Sequence, residues 1–227
     1  QLINKKKIYF YLFSLLFLST IFNHNLIINL KSTFKITDIK IDQTKKEIDD
    51  IISLNTSFLL GENIFFLKKK IILEKLNKLN FIESIKIEKK YPSTINIKTK
   101  LTNLIAITYI DQKKYFVGSN GNYILAKNIS NKKRLPIIFG KFNPEDFILL
   151  QKKILNQKID PNGIIKYYYH KNKRWDLYFE NYIVIQLPNN NINKALKLYK
   201  NFELNYEISP NSIIDLRIQN RLIFRNE

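Results

Sequence analysis

The sequence contains no cysteine in its 227 residues. Disulfide-stabilised scaffolds, catalytic thiolates and cysteine-ligated metal sites are therefore excluded. This absence is compatible with any compartment, including an oxidising one, so it does not locate the protein.

Arginine is scarce although the chain is strongly basic. The formal net charge is +19, yet only five of the 38 basic residues are arginine. A charge of this size places nucleic acid or an anionic membrane among the candidate partners. Arginine, however, is the residue that binds phosphate and guanine with two parallel hydrogen bonds, so an excess of lysine alone is weak support for nucleic-acid recognition. We predict no nucleic-acid partner and interpret the lysine content as codon-usage bias.

The sequence also lacks a catalytic or metal-binding constellation. Its two histidines, His24 and His170, do not have the spacing of a metal-binding pair. The segment "GSNG" (118–121) lacks the Lys-Ser/Thr pair of a phosphate-binding loop. Carboxylate pairs such as Asp49–Asp50 fall in predicted first helical turns, where they favour the helix dipole. We predict a non-enzymatic protein with no cofactor and no metal.

The N-terminal segment is apolar and carries no charge from Ile8 to Leu30. A membrane-spanning helix needs about 20 residues, so we predict a transmembrane helix over residues 8–30 after a cytoplasmic stub of residues 1–7. Lys5–Lys7 place the N-terminus in the cytoplasm and residues 31–227 outside it. A cleaved signal peptide is the alternative, but no Ala-x-Ala-like site follows the apolar run.

Residues 31–101 predict an α+β domain with the order β-α-α-β-β. A strand over 34–41 precedes two segments with helical spacing of apolar residues, 44–54 and 68–80. In the segment 84–100, isoleucines alternate with polar residues on both sides of a Tyr-Pro-Ser-Thr turn, which predicts a hairpin. We expect the isoleucines to face the two helices and the lysines to lie on the other face of the sheet.

Residues 102–227 predict a β-rich domain. Asn120–Gly121 lies between two apolar runs, which indicates a hairpin with a type I′ turn. Two helices are expected over 143–157 and 191–204. The remaining strands are expected within 134–140, 174–188 and 212–225. Because the strands follow one another along the chain, we predict a mainly antiparallel sheet with two packed helices.

The segment 166–179 supports two interpretations. Its aromatic and basic residues alternate, as in proteins that stack and neutralise single-stranded nucleic acid. We favour a hairpin in which Trp175, Leu177 and Phe179 point inward and His170–Lys173 form the turn.

The chain resembles a known family over nearly its whole length. Gly61, Asn63 and Phe65 ahead of the second helix, with Tyr91–Pro92 in the hairpin, are similar to a POTRA module (polypeptide-transport-associated domain). A POTRA module after an N-terminal anchor and before a β-rich region resembles the FtsQ/DivIB bacterial cell-division family. Three further segments resemble the family's Leu-Pro, Trp-to-Leu-Pro and Ile-Asp-Leu-Arg motifs: "RLPIIFG" (134–140), "RWDLYFENYIVIQLP" (174–188) and "SIIDLRIQNRLIFR" (212–225). The segment "LTNLIA" (101–106) departs from the family's Glu-Arg-x-Pro-x-Ala pattern, which leaves the geometry of the domain junction open.

The resemblance implies a role without catalysis. Family members are single-pass scaffolds of the inner membrane at the division septum, with the C-terminus in the periplasm, and they link early and late division proteins. The resemblance implies that FtsB-like and FtsL-like proteins bind the C-terminal sheet edge and that FtsK-like proteins bind the POTRA domain. On the last strand we predict partner-binding residues at Ile218, Arg221, Leu222 and Phe224. A core position is the alternative for Leu222, as it is for Ile214 and Leu216.

Two other functions compete with this one. A POTRA-bearing chaperone or secretion component would bind unfolded chains by strand addition, but it predicts tandem POTRA modules or a membrane barrel. A basic module that binds anionic lipid or nucleic acid would lose affinity steeply with salt.

Overall fold

The computed structural model describes residues 5–20, 33–42, 45–129, 131 and 133–226. Helix α1 (Lys5–Thr20) opens the described chain and exposes most of its apolar side chains. Within those ranges no helix combines the length and the apolar character needed to cross a bilayer. The span predicted for residues 8–30 continues past α1 into residues 21–30, which lie outside the described residues.

The first folded unit has the predicted order of one strand, two helices and two strands. Its elements are β1 (Asp38–Ile41), α2 (Lys46–Thr56), α3 (Lys69–Leu76), β2 (Ile82–Lys90) and β3 (Thr94–Leu101). Strand β3 is central, pairing parallel with β1 and antiparallel with β2. The strand predicted over 34–41 is shorter, because the segment before β1 lies beside residues 61–64. There the Ile36 N–H donates to the Glu62 carbonyl at 2.9 Å.

The core of this unit lies on one face of its sheet. Ile87 on β2 and Ile97 on β3 are paired neighbours, and both are buried beneath the helices. The helical side of the same core consists of Ile48, Ile52, Ile72 and Leu76. Lys86 and Lys98 are paired on the opposite face, as the alternation predicts. Lys89 is the exception, because it pairs with Ile95 on the helix side.

The second folded unit contains a mixed sheet with two α-helices. In the described chain its sheet has nine strands in the order β12-β11-β10-β9-β8-β7-β4-β5-β6. The strands are β4 (Leu104–Ile110), β5 (Lys113–Gly118), β6 (Tyr123–Leu125), β7 (Ile137–Phe139), β8 (Ile164–Tyr169), β9 (Trp175–Phe179), β10 (Val184–Gln186), β11 (Ser212–Asp215) and β12 (Ile223–Asn226). The helices are α4 (Pro144–Asn156) and α5 (Ile192–Asn205).

Both helices connect parallel strands. Helix α4 lies between β7 and β8, and α5 lies between β10 and β11; both strand pairs are parallel. A parallel pair needs a long crossover, which these helices supply. Strands β4 and β7 are also parallel, while the other five neighbouring pairs are antiparallel. The expectation of a mainly antiparallel sheet with two packed helices therefore describes this unit.

The hairpin at Asn120–Gly121 forms with a different turn from the predicted one. Gly121 has φ +80°, whereas Asn120 is not among the residues with positive φ. A type I′ turn needs positive φ at both central residues, so that prediction is wrong. The Gly121 N–H donates to the Gly118 carbonyl at 3.0 Å, which places Gly121 at the last position of the turn. Asn120 therefore lies at the third position of the turn, one residue before Gly121.

The junction between the two units is a shared core with polar contacts at its rim. Phe116 of β5 and Ile124 of β6 are buried in the same cluster as Phe81 and Ile82 of the first unit. The Thr102 N–H donates to the Phe81 carbonyl at 3.0 Å. The segment 101–106 therefore leads directly from β3 into β4 with its backbone bonded to the first unit.

Candidate functional site

Strand β12 is one of the two edge strands of the larger sheet, and β6 is the other. Strand β12 pairs antiparallel with β11, from Ser212–Asn226 to Asp215–Ile223, and has no second neighbour among the described strands. The sequence pattern predicted one strand over 212–225, and that prediction is wrong: residues 216–222 form a loop between two strands. The predicted edge position is confirmed. An edge strand presents backbone N–H and C=O groups that can pair with another chain.

Aromatic packing holds β12 against the domain. Phe224 pairs with Ile214, which is fully buried on the helix side of the sheet. The ring of Phe224 lies 5.6 Å from that of Phe202 on α5, measured between centroids. Leu222 packs partly buried against the same core. Ile214 and Leu216 are core residues, so the alternative considered for them is correct.

A buried carboxylate organises the basic residues beside the edge. Asp215 is 6% exposed and accepts two hydrogen bonds from the Arg217 guanidinium, Nε to Oδ1 at 2.8 Å and Nη2 to Oδ2 at 2.6 Å. The backbone N–H of Arg217 also donates to Asp215 Oδ1, at 3.0 Å. These bonds hold the pKa of Asp215 below its usual range, and the carboxylate raises the pKa of Arg217 in turn. Arg225 of β12 lies 4.0 Å from the same carboxylate.

The loop 216–222 forms one wall of a groove of about 500 Å³, and the start of α5 forms the other. Ile218 is half exposed and Arg221 is exposed, and both line the groove. The Arg221 N–H donates to the Ile218 carbonyl at 3.2 Å, which fixes the turn that presents them. The charged lining residues, Lys194, Lys197, Arg217 and Arg221, are all basic. The groove therefore favours an anionic segment of a partner.

The four residues predicted to contact partners fall into two pairs. Ile218 and Arg221 face the groove, while Leu222 and Phe224 turn partly into the core. Two basic residues that line the groove were not predicted from the sequence, namely Lys194 and Lys197 on α5. The sequence placed these two lysines three residues apart on the polar face of the predicted helix 191–204. Their position beside the loop 216–222, however, depends on how α5 packs.

Of the two histidines considered as catalytic or metal-binding candidates, His24 lies outside the described residues and His170 contacts a carboxylate of its own hairpin. Among the described residues there is no cluster of three or more His, Cys, Asp or Glu that could hold a metal. His170 Nε2 lies 2.7 Å from Asp176 Oδ2 and ties the β8–β9 turn to its strand. Trp175 and Leu177 are buried, so the segment 166–179 is the predicted hairpin with an apolar side.

Two family models match the chain in the order in which its two units occur. "POTRA domain, FtsQ-type" matches residues 34–100, and "Cell division protein FtsQ/DivIB, C-terminal" matches residues 106–217. The second match ends two residues after Asp215, so the edge strand β12 lies beyond it.

Curated relatives carry the same names. Cell division protein FtsQ of Agrobacterium fabrum is 23% identical over 195 residues, covering 83% of this chain and 60% of the relative. FtsQ of Rickettsia typhi is 27% identical over 209 residues, covering 86% and 73%. Cell division protein DivIB of Clostridium botulinum is 28% identical over 111 residues, covering 48% and 43%. This chain thus spans three fifths of the Agrobacterium protein. With both family models matched in order, the chain belongs to the FtsQ/DivIB family of cell division proteins.

Proposed function

We propose that this protein is a non-enzymatic scaffold of the bacterial division machinery that links early and late division proteins at the septum. The observation that carries the proposal is the position of β12, which has one neighbour among the described strands and lies beside a groove whose charged lining residues are all basic. A scaffold works by raising the local concentration of the partners it holds together. The two folded units on one chain suit this task, because each can hold a different partner.

The proposed binding mode at the C-terminal end is strand addition. An FtsB-like protein, together with an FtsL-like one, adds an extended segment to β12 through backbone hydrogen bonds. Side chains of the partner then contact Ile218 and Arg221, and an acidic residue enters the groove beside Lys194 and Lys197. Leu222 and Phe224 keep the strand in place, and Phe224 contributes its exposed edge to the contact.

The proposed position in the cell is the inner membrane. Residues 8–30 anchor the chain as a single span with the N-terminus in the cytoplasm, and the two folded units lie in the periplasm. The charge-free run after Lys5–Lys7 supports this orientation. The POTRA unit, which follows the anchor, meets FtsK-like or other early division proteins.

The test is a binding assay with the full chain in nanodiscs and the periplasmic segments of the FtsB-like and FtsL-like proteins from the same bacterium. We expect Ile218→Asp and Arg221→Glu each to weaken binding about tenfold or more, on the order of 1.4 kcal/mol. Leu149→Asp is the matched control, since Leu149 on α4 is 51% exposed and Ile218 is 50% exposed. A wild-type chain that binds neither segment would contradict the proposal, as would normal division after depletion of the protein.

A further inference from the structure

Three aromatic rings, those of Phe34, Phe65 and Tyr91, are in contact at the end of the first unit where the β2–β3 turn lies, and the exposed Phe66 follows Phe65 in the chain. Phe65 is the centre of this aromatic tip, which comprises Phe34, Phe65, Phe66 and Tyr91. Its ring lies 4.6 Å from Phe34 in an edge-to-face arrangement and 4.8 Å from Tyr91 in a stacked one. Three segments that are distant in sequence therefore contribute to one surface feature.

The aromatic tip is exposed, although hydrogen bonds hold the backbone of Phe65 in place. Phe66 is 83% exposed, Tyr91 55% and Phe65 51%, whereas the neighbouring Ile64 is fully buried. Asn63 Oδ1 accepts a hydrogen bond from the Phe65 N–H at 2.9 Å, and Lys89 Nζ donates to the Phe65 carbonyl at 3.2 Å. Side chains thus fix both backbone groups of Phe65, and the rings are held toward solvent. An exposed apolar cluster of this kind marks an interaction surface.

Basic residues surround the tip. Lys35 and Lys90 adjoin Phe34 and Tyr91 in sequence, and Lys68–Lys70 follow two residues after Phe66. All five lysines are exposed. Lys70 lies 3.8 Å from Glu74, and the other four have no salt bridge among the described residues. Glu62 is also exposed and lies three residues before Phe65, so the exposed residues that flank the rings in the sequence carry a net positive charge.

Aromatic rings bordered by lysines match the chemistry of a bilayer surface. Tyrosine favours the headgroup level of a membrane, and phenylalanine is among the residues that interfacial helices bury at the boundary between headgroups and acyl chains. Lysines within a Debye length of anionic headgroups are attracted to them electrostatically. A cluster that combines both features binds the interface without crossing it.

The position of the tip in the chain brings it to that surface. This step rests on the proposed anchor at residues 8–30. Phe34 follows Leu30 by four residues, and four extended residues span at most about 14 Å. A ring at residue 34 is therefore within reach of the headgroups wherever the anchor leaves the bilayer. The Phe34–Phe65 contact carries the rest of the tip with it.

We infer that the aromatic tip is a lipid-contact surface: Phe65, Phe66 and Tyr91 enter the headgroup layer of an anionic bilayer, and Lys35, Lys68, Lys69 and Lys90 bind its phosphates. The contact sets the POTRA unit at a fixed orientation on the membrane. The groove and β12, which belong to the other unit, are oriented through the shared core at Phe81, Ile82, Phe116 and Ile124.

The absence of cysteine permits a direct test on the full chain. Phe66→Cys is labelled with an environment-sensitive fluorophore, and the protein is reconstituted in nanodiscs of phosphatidylcholine with or without phosphatidylglycerol. Leu204→Cys carries the same label as the control, because Leu204 is an apolar residue of α5 with 71% exposure. Lipids with a spin label near the headgroup serve as the quencher. Flotation of the same chain in vesicles of these lipids after carbonate extraction reports whether it is anchored.

We expect quenching at position 66 to be at least threefold stronger than at position 204. Replacement of Lys35, Lys68, Lys69 and Lys90 by glutamine should reduce quenching in the anionic discs to the level in neutral ones. An anchored chain with equal quenching at the two positions overturns the lipid contact and leaves the anchor intact. If quenching is equal at the two positions and the label at position 66 is shielded from solvent only when a division partner is added, the tip is a protein-binding surface and the lipid contact is overturned. A chain that does not float with lipid overturns the anchor and this inference together.

Discussion

The side-chain amide of Asn120 donates a hydrogen bond to the backbone carbonyl of Asn80 across the junction, at 2.9 Å. The same Nδ2 group lies 3.2 Å from the Ile82 carbonyl, and the Asn80 amide donates in return to the Tyr123 carbonyl at 3.1 Å. The two units are therefore joined by reciprocal bonds between side-chain amides and backbone carbonyls. These bonds lie beside a shared apolar core, so the junction fixes how a partner on one unit is placed relative to the other.

Asn120→Asp should loosen this junction. A carboxylate cannot donate to the two carbonyls and would repel them, so we expect the free energy of unfolding to fall by about 1–3 kcal/mol. Urea unfolding measures the loss, and faster amide exchange at residues 80–82 locates it. Asn189→Ala, at an exposed asparagine near the groove, should change neither. An Asn120→Asp protein with wild-type exchange at those amides would show that the junction does not depend on this side chain.

The sequence predicted most elements of the fold but not the junction. The helix and strand patterns around Ile87, Ile97 and Phe147 are local, and the structure confirms them because each apolar face has its own packing partner. Asn120 was predicted as a turn residue, and its role across the junction depends on contacts some 40 positions away in sequence. The segment 101–106 departs from the family's pattern, so the sequence did not show that it leads directly from β3 into β4. That connection also depends on contacts between residues distant in sequence.

The candidate site was also predicted only in part. The stretch 212–225 has no glycine or proline, so its alternating apolar residues suggested one strand. The break occurs at a loop in which Asn220 adopts φ +59°, a conformation that asparagine tolerates better than most residues. The resulting hairpin turns Phe224 toward α5 and leaves Ile218 and Arg221 on the groove. The register of a strand pair decides which face of the sheet each residue occupies. The register of β11 and β12 depends on the position of the loop 216–222 between them.

Asp215 should make stability dependent on acid pH. Its pKa in the folded protein is lowered by the hydrogen bonds from Arg217. The contribution of the carboxylate to stability is therefore complete above the ordinary aspartate pKa and is lost as the pH falls through the lowered value. Asp215→Asn should be less stable than wild type at pH 7 by about 1.5–3 kcal/mol, the value of hydrogen bonds to a charged group.

The difference between the two proteins should narrow as the pH falls toward 3, which urea titrations at a series of pH values would measure. Asp42→Asn is the control, since the Asp42 side chain is 58% exposed and lies 3.9 Å from Lys98. A surface pair of that kind contributes about 0–1 kcal/mol. If the difference for Asp215→Asn were the same at pH 3 and pH 7, the carboxylate charge would not be the stabilising element.

Two glycines with positive φ provide a matched pair for backbone strain. Gly61 has φ +86° with no atom within 4 Å of an added Cβ, whereas Gly140 has φ +99° and an added Cβ would lie 2.0 Å from the Tyr169 carbonyl oxygen. Gly61→Ala should cost about 1–2 kcal/mol from backbone strain alone.

Gly140→Ala should cost clearly more, because the end of β7 must move away from β8 to relieve the overlap. Thermal unfolding of the two variants under identical conditions measures the difference. Equal losses would mean that the chain at Gly140 can shift without disturbing the β7–β8 pair.

The ring pair between Phe202 and Phe224 should control the edge strand from a position that no added partner strand reaches. Phe202 lies on α5 and contacts β12 through the ring of Phe224, on the helix side of the sheet. Phe202→Ala removes a partly buried ring, so we expect β12 to lose about 1–2 kcal/mol of local stability, less than for a fully buried phenylalanine. Amide exchange at residues 223–226 should become faster, and binding of the FtsB-like segment should weaken in proportion, because a frayed strand must be ordered again before a partner can pair with it. Leu204→Ala on the same helix, at an exposed position, should leave both measurements unchanged. Faster exchange with unchanged binding would show that the partner engages the groove at Ile218 and Arg221 and does not pair with β12.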